Sequence, residues 1–157
     1  MKKIIAEFKQ HWPNYVIQSL LATFFVFLIL HVLSMRRLVI VASLGATSFI
    51  VFAMPNTLSA KPRNIIGGYI VGLVCGALFC FIPHPAFVPP AIYYAAAVGL
   101  SIFLMVAVDT EHPPASGVAL AVALGGASWK LSLAIIGSAV MLSLIHELFK
   151  KQIRDLT

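Results

Sequence analysis

Apolar residues fill 15–33, 38–54, 65–82, 91–108, 114–127 and 131–149, and polar residues gather in the short gaps between these runs. A helix needs about 20 mostly apolar residues to cross a hydrocarbon layer of roughly 30 Å. By that measure four runs have spanning length, 38–54 is marginal and 114–127 is short. The pattern predicts an all-α, polytopic helical membrane bundle of about six helices, with a short or broken second and fifth member. Ahead of it, Ile4, Ile5, Phe8 and Trp12 share one helical face opposite lysines, so 1–13 is expected to lie as an amphipathic segment on the membrane surface. Glu7, Lys9 and Gln10 interrupt any apolar stretch that would make this a secretory signal.

Lysine and arginine decide between crossing and dipping, because both are enriched in cytoplasmic loops. If all six runs cross from a cytoplasmic N-terminus, Lys2, Lys3, Lys9, Lys61, Arg63, Lys150, Lys151 and Arg154 lie inside and only Arg36, Arg37 and Lys130 outside. Re-entrant short runs would give six against five. Six crossings with both termini cytoplasmic is therefore the expected topology, in the cytoplasmic membrane of a bacterium.

The chain also resembles itself. An offset of 69 pairs Ala46 with Ala115, Ser59 with Ser128, Lys61 with Lys130, Ile66 with Ile135, Gly68 with Gly137, Val71 with Val140 and Leu73 with Leu142. In both places a short helix opened by small residues precedes a long one. Two halves of three helices, 14–82 and 91–149, would enter the membrane from opposite sides as inverted repeats within one transmembrane domain, an arrangement common among secondary transporters. Gly68, Gly72 and Gly76, four apart, line one face of the third helix and suit close helix packing, within or between subunits.

Composition narrows the classes. With 61% hydrophobic and 10% charged residues, against about 25% charged in soluble domains, a soluble fold is excluded. The net charge of +6 comes from residues at the ends of apolar runs, where they orient helices, so nucleic acid is not an expected partner. Cys75 and Cys80 read as small buried hydrophobes, with no disulfide and no metal site.

One segment breaks the pattern: DTEHPPASGVAL, Asp109 to Leu120. Pro113 and Pro114 lack amide hydrogens and push the residues before them out of helical geometry. The fourth helix must end near Asp109 and the fifth begin at Pro113 or Pro114, where proline suits the first turn. Only about 14 apolar residues follow, roughly 21 Å of helix, so that start is expected below the membrane surface. A helix start offers unpaired amides and partial positive charge, hence an anion site, here with Ala115, Ser116 and Gly117 keeping the backbone accessible. If the repeat holds, Gly45, Ala46, Thr47 and Ser48 open a second short helix from the other side, and two helix tips face a shared site near the midplane.

HPPA with an acid three residues upstream, together with LGATSFIVFAMPNTLSAKPRNIIGGYIVG from Leu44 to Gly72, resembles the HPP family of integral membrane proteins. The likeness spans roughly 38–127 and holds at Gly45, Ala46, Pro55, Pro62, Asn64, Gly67, Gly68, His112, Pro113, Pro114 and Ala115. It implies a small helical membrane domain. Members in cyanobacteria and chloroplasts are associated with nitrite transport, and some carry appended CBS domains.

These readings make the expected function a transporter or channel for a small inorganic anion, nitrite first. The expected site is Gly45, Ala46, Thr47, Ser48, His112, Pro113, Pro114, Ala115 and Ser116. Asp109 and Glu111, protonated in an apolar setting, are candidates for proton coupling or for cation transport instead. His112 is either a proton relay or anion donor, or a structural residue that caps the helix it precedes or bonds a backbone carbonyl. Arg63 anchors its helix or attracts anions, and Asn64 caps that helix. Gln18 and His31 are isolated polar groups in an apolar run, and His146 and Glu147 read as a solvated face. A non-transporting scaffold or sensing module is the alternative. No serine lies beside a base and no paired-histidine spacing occurs, so no enzyme, cofactor or metal is expected.

Overall fold

The computed structural model describes residues 38–156 and, ahead of them, 12–14, 16–18, 20–21 and 23–25. The surface segment 1–13, apart from Trp12 and Pro13, lies outside the described residues, as do His31, Arg36 and Arg37. Five helices follow in order: α1 (Leu38–Ala53), α2 (Pro62–Phe81), α3 (Pro90–Ala107), α4 (Pro114–Gly125) and α5 (Trp129–Phe149), with a 3-10 turn at Leu58–Ala60 between the first two. The described residues of 12–25 are helical as well, and no strand occurs among the described residues. The protein is an all-helical membrane bundle.

Local chemistry sets these boundaries. Pro62, Pro90 and Pro114 each stand in the first turn of a helix, where the missing N–H is one the helix leaves unbonded anyway. The Ser128 hydroxyl accepts from the Leu131 amide at 3.3 Å and starts α5. Gly126, at φ 83°, ends α4 in a conformation that favours glycine. Helices α2, α3 and α5 have 20, 18 and 21 residues and are apolar enough to cross a membrane. α1 and α4 are short, at 16 and 12 residues, or about 24 and 18 Å.

The five helices alternate in direction. The end of α1, the start of α2, the end of α3, the start of α4 and the end of α5 meet at one end of the bundle. Hydrogen bonds from Leu156 N to the Ala53 carbonyl, His146 Nε2 to the Pro55 carbonyl and Arg63 to Asp109 tie that end together. The short–long pair α1–α2 thus runs opposite to the short–long pair α4–α5.

Helix α4 is central and packs against α1, α2 and α3. Its small residues Ala115, Ala119, Ala121 and Ala123 are buried, as expected where helix association depends on close van der Waals contact. The glycine stripe of α2 faces it. A Cβ on Gly68 would come within 2.7 Å of the His112 Cβ, one on Gly72 would collide with the Ala115 carbonyl, and one on Gly76 would lie 2.6 Å from the Ala119 carbonyl. The two helices therefore run parallel, and the stripe serves packing within the chain. On the outside, Val74, Leu78, Ile102, Phe103, Val106, Leu133, Leu144 and Leu148 are exposed, an apolar surface suited to lipid.

Candidate functional site

Helix α3 ends in a hydrogen-bonded reversal. The Thr110 amide donates to the Met105 carbonyl at 2.9 Å and the Asp109 amide to the Val106 carbonyl at 3.3 Å, while Asp109 takes φ 56°. This is a Schellman ending with an aspartate where glycine is usual. The chain then dips inward through Thr110 and Glu111 and delivers His112 beside Gly68, six residues or about 9 Å along α2 from its start. The start of α4 is thus recessed from that end of the bundle.

His112 is fully buried, with Thr47 at 0% and Tyr69 at 1% exposure. Its Nδ1 lies 2.8 Å from the Ser59 carbonyl, which only accepts, so Nδ1 carries the proton. In the neutral ring Nε2 then accepts from the Thr47 hydroxyl at 2.8 Å. Thr47 Oγ1 in turn accepts from the Tyr69 hydroxyl at 2.9 Å, which also lies 3.4 Å from the Ser43 carbonyl. The protons point one way along the chain Tyr69, Thr47, His112, Ser59. His112 belongs to the connection between helices, outside the spanning helices, and its burial pushes its pKa down to about 4 against the opposing pull of the Ser59 carbonyl. A backbone carbonyl accepts a proton's hydrogen bond but does not pass the proton on, so the chain in this state positions His112 instead of relaying protons through it. The bond from Nδ1 to a backbone carbonyl is one of the structural contacts weighed for His112.

The expected pair of opposed helix tips is not formed. Gly45, Ala46, Thr47 and Ser48 do not open a helix; they lie in the middle of α1. No proline or cap precedes them, the apolar run from Leu38 is continuous, and one glycine costs a helix only about 1 kcal/mol. Ser48 bonds the Leu44 carbonyl of its own helix at 2.9 Å. At the α4 tip, Pro113 and Pro114 have no amide hydrogen, and the Ala115 and Ser116 amides donate to the His112 and Pro113 carbonyls at 2.9 and 3.1 Å. The Ser116 hydroxyl also turns back to the Pro113 carbonyl, at 2.8 Å. The tip is at depth, but its first amides are already used. Thr47 and His112 do meet, through side chains from the middle of one helix and the approach to another.

The remaining polar residues separate. Asp109 and Arg63 form an exposed ion pair at 2.7 Å, so Arg63 holds the end of α3 in addition to any lipid contact. Glu111 is half-buried and its Oε2 has no hydrogen-bond partner; the Thr110 hydroxyl is in the same condition. Asn64 does not cap α2: its Nδ2 donates to the Glu111 carbonyl at 3.2 Å. Gln18 is not isolated, since its Nε2 donates to the Phe52 and Arg154 carbonyls at 2.5 and 2.9 Å. His146, expected on a solvated face, is 4% exposed and donates from Nε2 to the Pro55 carbonyl at 2.9 Å. Proximity across 91 residues leaves no trace in local pattern. Tyr69 went unmarked in the sequence too, although it is the one polar side chain within IIGGYIVG.

The family model described as HPP, transmembrane region, matches residues 8–154. A transmembrane protein of Dictyostelium discoideum is 32% identical over 87 residues, which is 55% of this chain and 30% of that protein. The chain thus spans under a third of the length of this curated relative. No solved structure matches.

Proposed function

Since the chain belongs to the HPP transmembrane family, we propose that it is a membrane transporter for a small inorganic anion, with nitrite the first candidate. The observation that carries this reading is the chain of three side chains, Tyr69, Thr47 and His112, buried to 1% exposure or less at the recessed start of a short helix. Polar groups at membrane depth are expensive and gather along substrate paths. In the closed arrangement all three are engaged with each other and with backbone. Separating α1 from α4 frees the Thr47 and Tyr69 hydroxyls as donors for an anion and frees His112 Nε2 to take a proton. Glu111, whose Oε2 is buried without a partner, is the carboxyl better placed to carry a coupled proton, because Asp109 is held exposed by Arg63.

The end of the bundle bearing 53–63, 108–113 and 150–156 is assigned to the cytoplasm of a bacterial cell. Among the described residues Lys61, Arg63, Lys150, Lys151 and Arg154 lie there, against Lys130 at the other end. Purified protein in liposomes tests the transport reading. Nitrite uptake that falls at least tenfold in His112→Ala and Thr47→Val, with both variants still folded, is the expected result. Absence of flux for nitrite, nitrate, formate and chloride under any imposed gradient overturns it and leaves a membrane scaffold whose broken connection only fixes the fold.

A further inference from the structure

A second polar site lies at the same end of the bundle, apart from the buried chain. The connection between α1 and α2 and the last turn of α5 enclose a cleft of about 380 Å³ whose lining includes Pro55, Lys61, Arg63, His146, Glu147 and Lys150. Three of these are cationic, and the start of α2, with its positive dipole end, opens into the same space. Lys61 is exposed, with no ion pair among the described residues. Lys150 holds Glu147 at 2.5 Å.

His146 gives the cleft its chemical selectivity. Its Nε2 proton is committed to the Pro55 carbonyl, so Nδ1 of the neutral ring is an acceptor. That atom is buried with no hydrogen-bond partner. The nearest charged atom, Glu147 Oε1 at 3.7 Å, is another acceptor. With the ring neutral, Nδ1 and the Glu147 carboxylate are both acceptors, beside ammonium groups that call for negative oxygens. A buried acceptor left unbonded costs about 1–3 kcal/mol, and one ligand class satisfies both demands: an oxyanion that still bears a hydroxyl.

We propose that this cleft binds hydrogen phosphate, free or as the monoester headgroup of an acidic lipid. The P–OH donates to His146 Nδ1, and the charged oxygens accept from Lys61 and Lys150. Free hydrogen phosphate is a dianion that keeps its hydroxyl, which two lysines favour over bicarbonate; a lipid monoester keeps its hydroxyl as the monoanion, and nitrite, nitrate and chloride bring no proton for Nδ1. Sulfate has the shape and charge of hydrogen phosphate without the hydroxyl, which makes it the discriminating control.

The site is independent of the transport reading because binding is measured without flux. Protein in phosphatidylcholine nanodiscs at pH 7 is titrated with inorganic phosphate or with sulfate at equal ionic strength, and the melting midpoint is followed. A second set of discs carries phosphatidic acid, which has a monoester headgroup, or phosphatidylglycerol, a diester, and lipid retention is read by native mass spectrometry. The expected result is saturable stabilisation by phosphate at least tenfold tighter than by sulfate, or retention of phosphatidic acid over phosphatidylglycerol. The first arm identifies a soluble ligand and the second a lipid. Lys61→Ala, at an exposed position, weakens binding at least fivefold, Glu147→Gln strengthens it by removing the competing carboxylate, and His146→Leu erases the preference over sulfate. Equal behaviour of phosphate and sulfate together with equal retention of the two lipids, or unchanged binding in Lys61→Ala, overturns the proposal.

Discussion

Gly72 and Ala115 lie so close that a Cβ added to the first would collide with the carbonyl oxygen of the second, leaving no room for a methyl group between them. Helix α4 is short and central, and its fit depends on this approach. Gly72→Ala forces backbone apart, and overpacking of this kind costs about 1–3 kcal/mol. Gly99 in α3 is the internal control, since a Cβ there meets nothing within 4 Å. Gly99→Ala is expected to be neutral or to stabilise by up to about 1 kcal/mol through helix propensity. Thermal unfolding of both variants in one detergent separates them, and equal midpoints would contradict the packing.

His112 predicts an acid-labile fold. Its folded pKa is pushed down to about 4 by burial, below the roughly 6.5 of an unfolded histidine, so the unfolded chain binds the extra proton first. The neutral ring's contribution is complete above pH 6.5 and is lost as pH falls toward 4, by up to roughly 3 kcal/mol. Comparing melting midpoints at pH 7.5 and pH 4.5 in the wild type and in His112→Gln isolates the effect. The variant is expected to show the smaller acid loss, and equal losses would remove His112 as the cause.

The sequence carried the helices well and the contacts poorly, for physical reasons visible at particular residues. Apolar runs bounded by Pro55, Pro62, Pro90, Pro114 and Gly126 specify helices because both the pattern and the breakers are local. The shortness of α4 followed from the length of its apolar run alone. What misled was the analogy between Gly45–Ser48 and Pro113–Ser116: small residues open a helix only where something also stops the preceding one, and the prolines of the second segment have no counterpart at Leu44. The partners of Gln18, Tyr69 and His146 are set by tertiary packing, which no spacing rule encodes.

Asp109 combines a weak contact with a demanding backbone. Its ion pair with Arg63 is exposed on both sides, and such pairs contribute at most about 1 kcal/mol. Its φ of 56° is tolerated by aspartate, asparagine and glycine and resisted by β-branched residues. Asp109→Asn is therefore expected to change stability by less than about 1 kcal/mol, and Asp109→Val to cost about 1–2 kcal/mol more. Chemical denaturation of the two variants checks the difference. Equal costs for asparagine and valine would place the residue's importance in its charge.

Alternation of the five helices fixes the sides on which Lys61 and Lys130 emerge. Lys61 stands at the start of α2, at the end where Pro55 receives His146, whereas Lys130 stands at the start of α5, whose 21 residues rise about 30 Å before reaching that end. The residues are exposed, so cysteines placed there can be labelled without disturbing the core. With Cys75 and Cys80 replaced by alanine, a membrane-impermeant maleimide applied to sealed right-side-out vesicles is expected to label Lys130→Cys alone. In inside-out vesicles it is expected to label Lys61→Cys alone. Reversal of both results would invert the assigned orientation while leaving the alternation intact, because the pair would still report opposite faces. Labelling of both positions from one side would be incompatible with α2, α3 and α4 making an odd number of crossings between them.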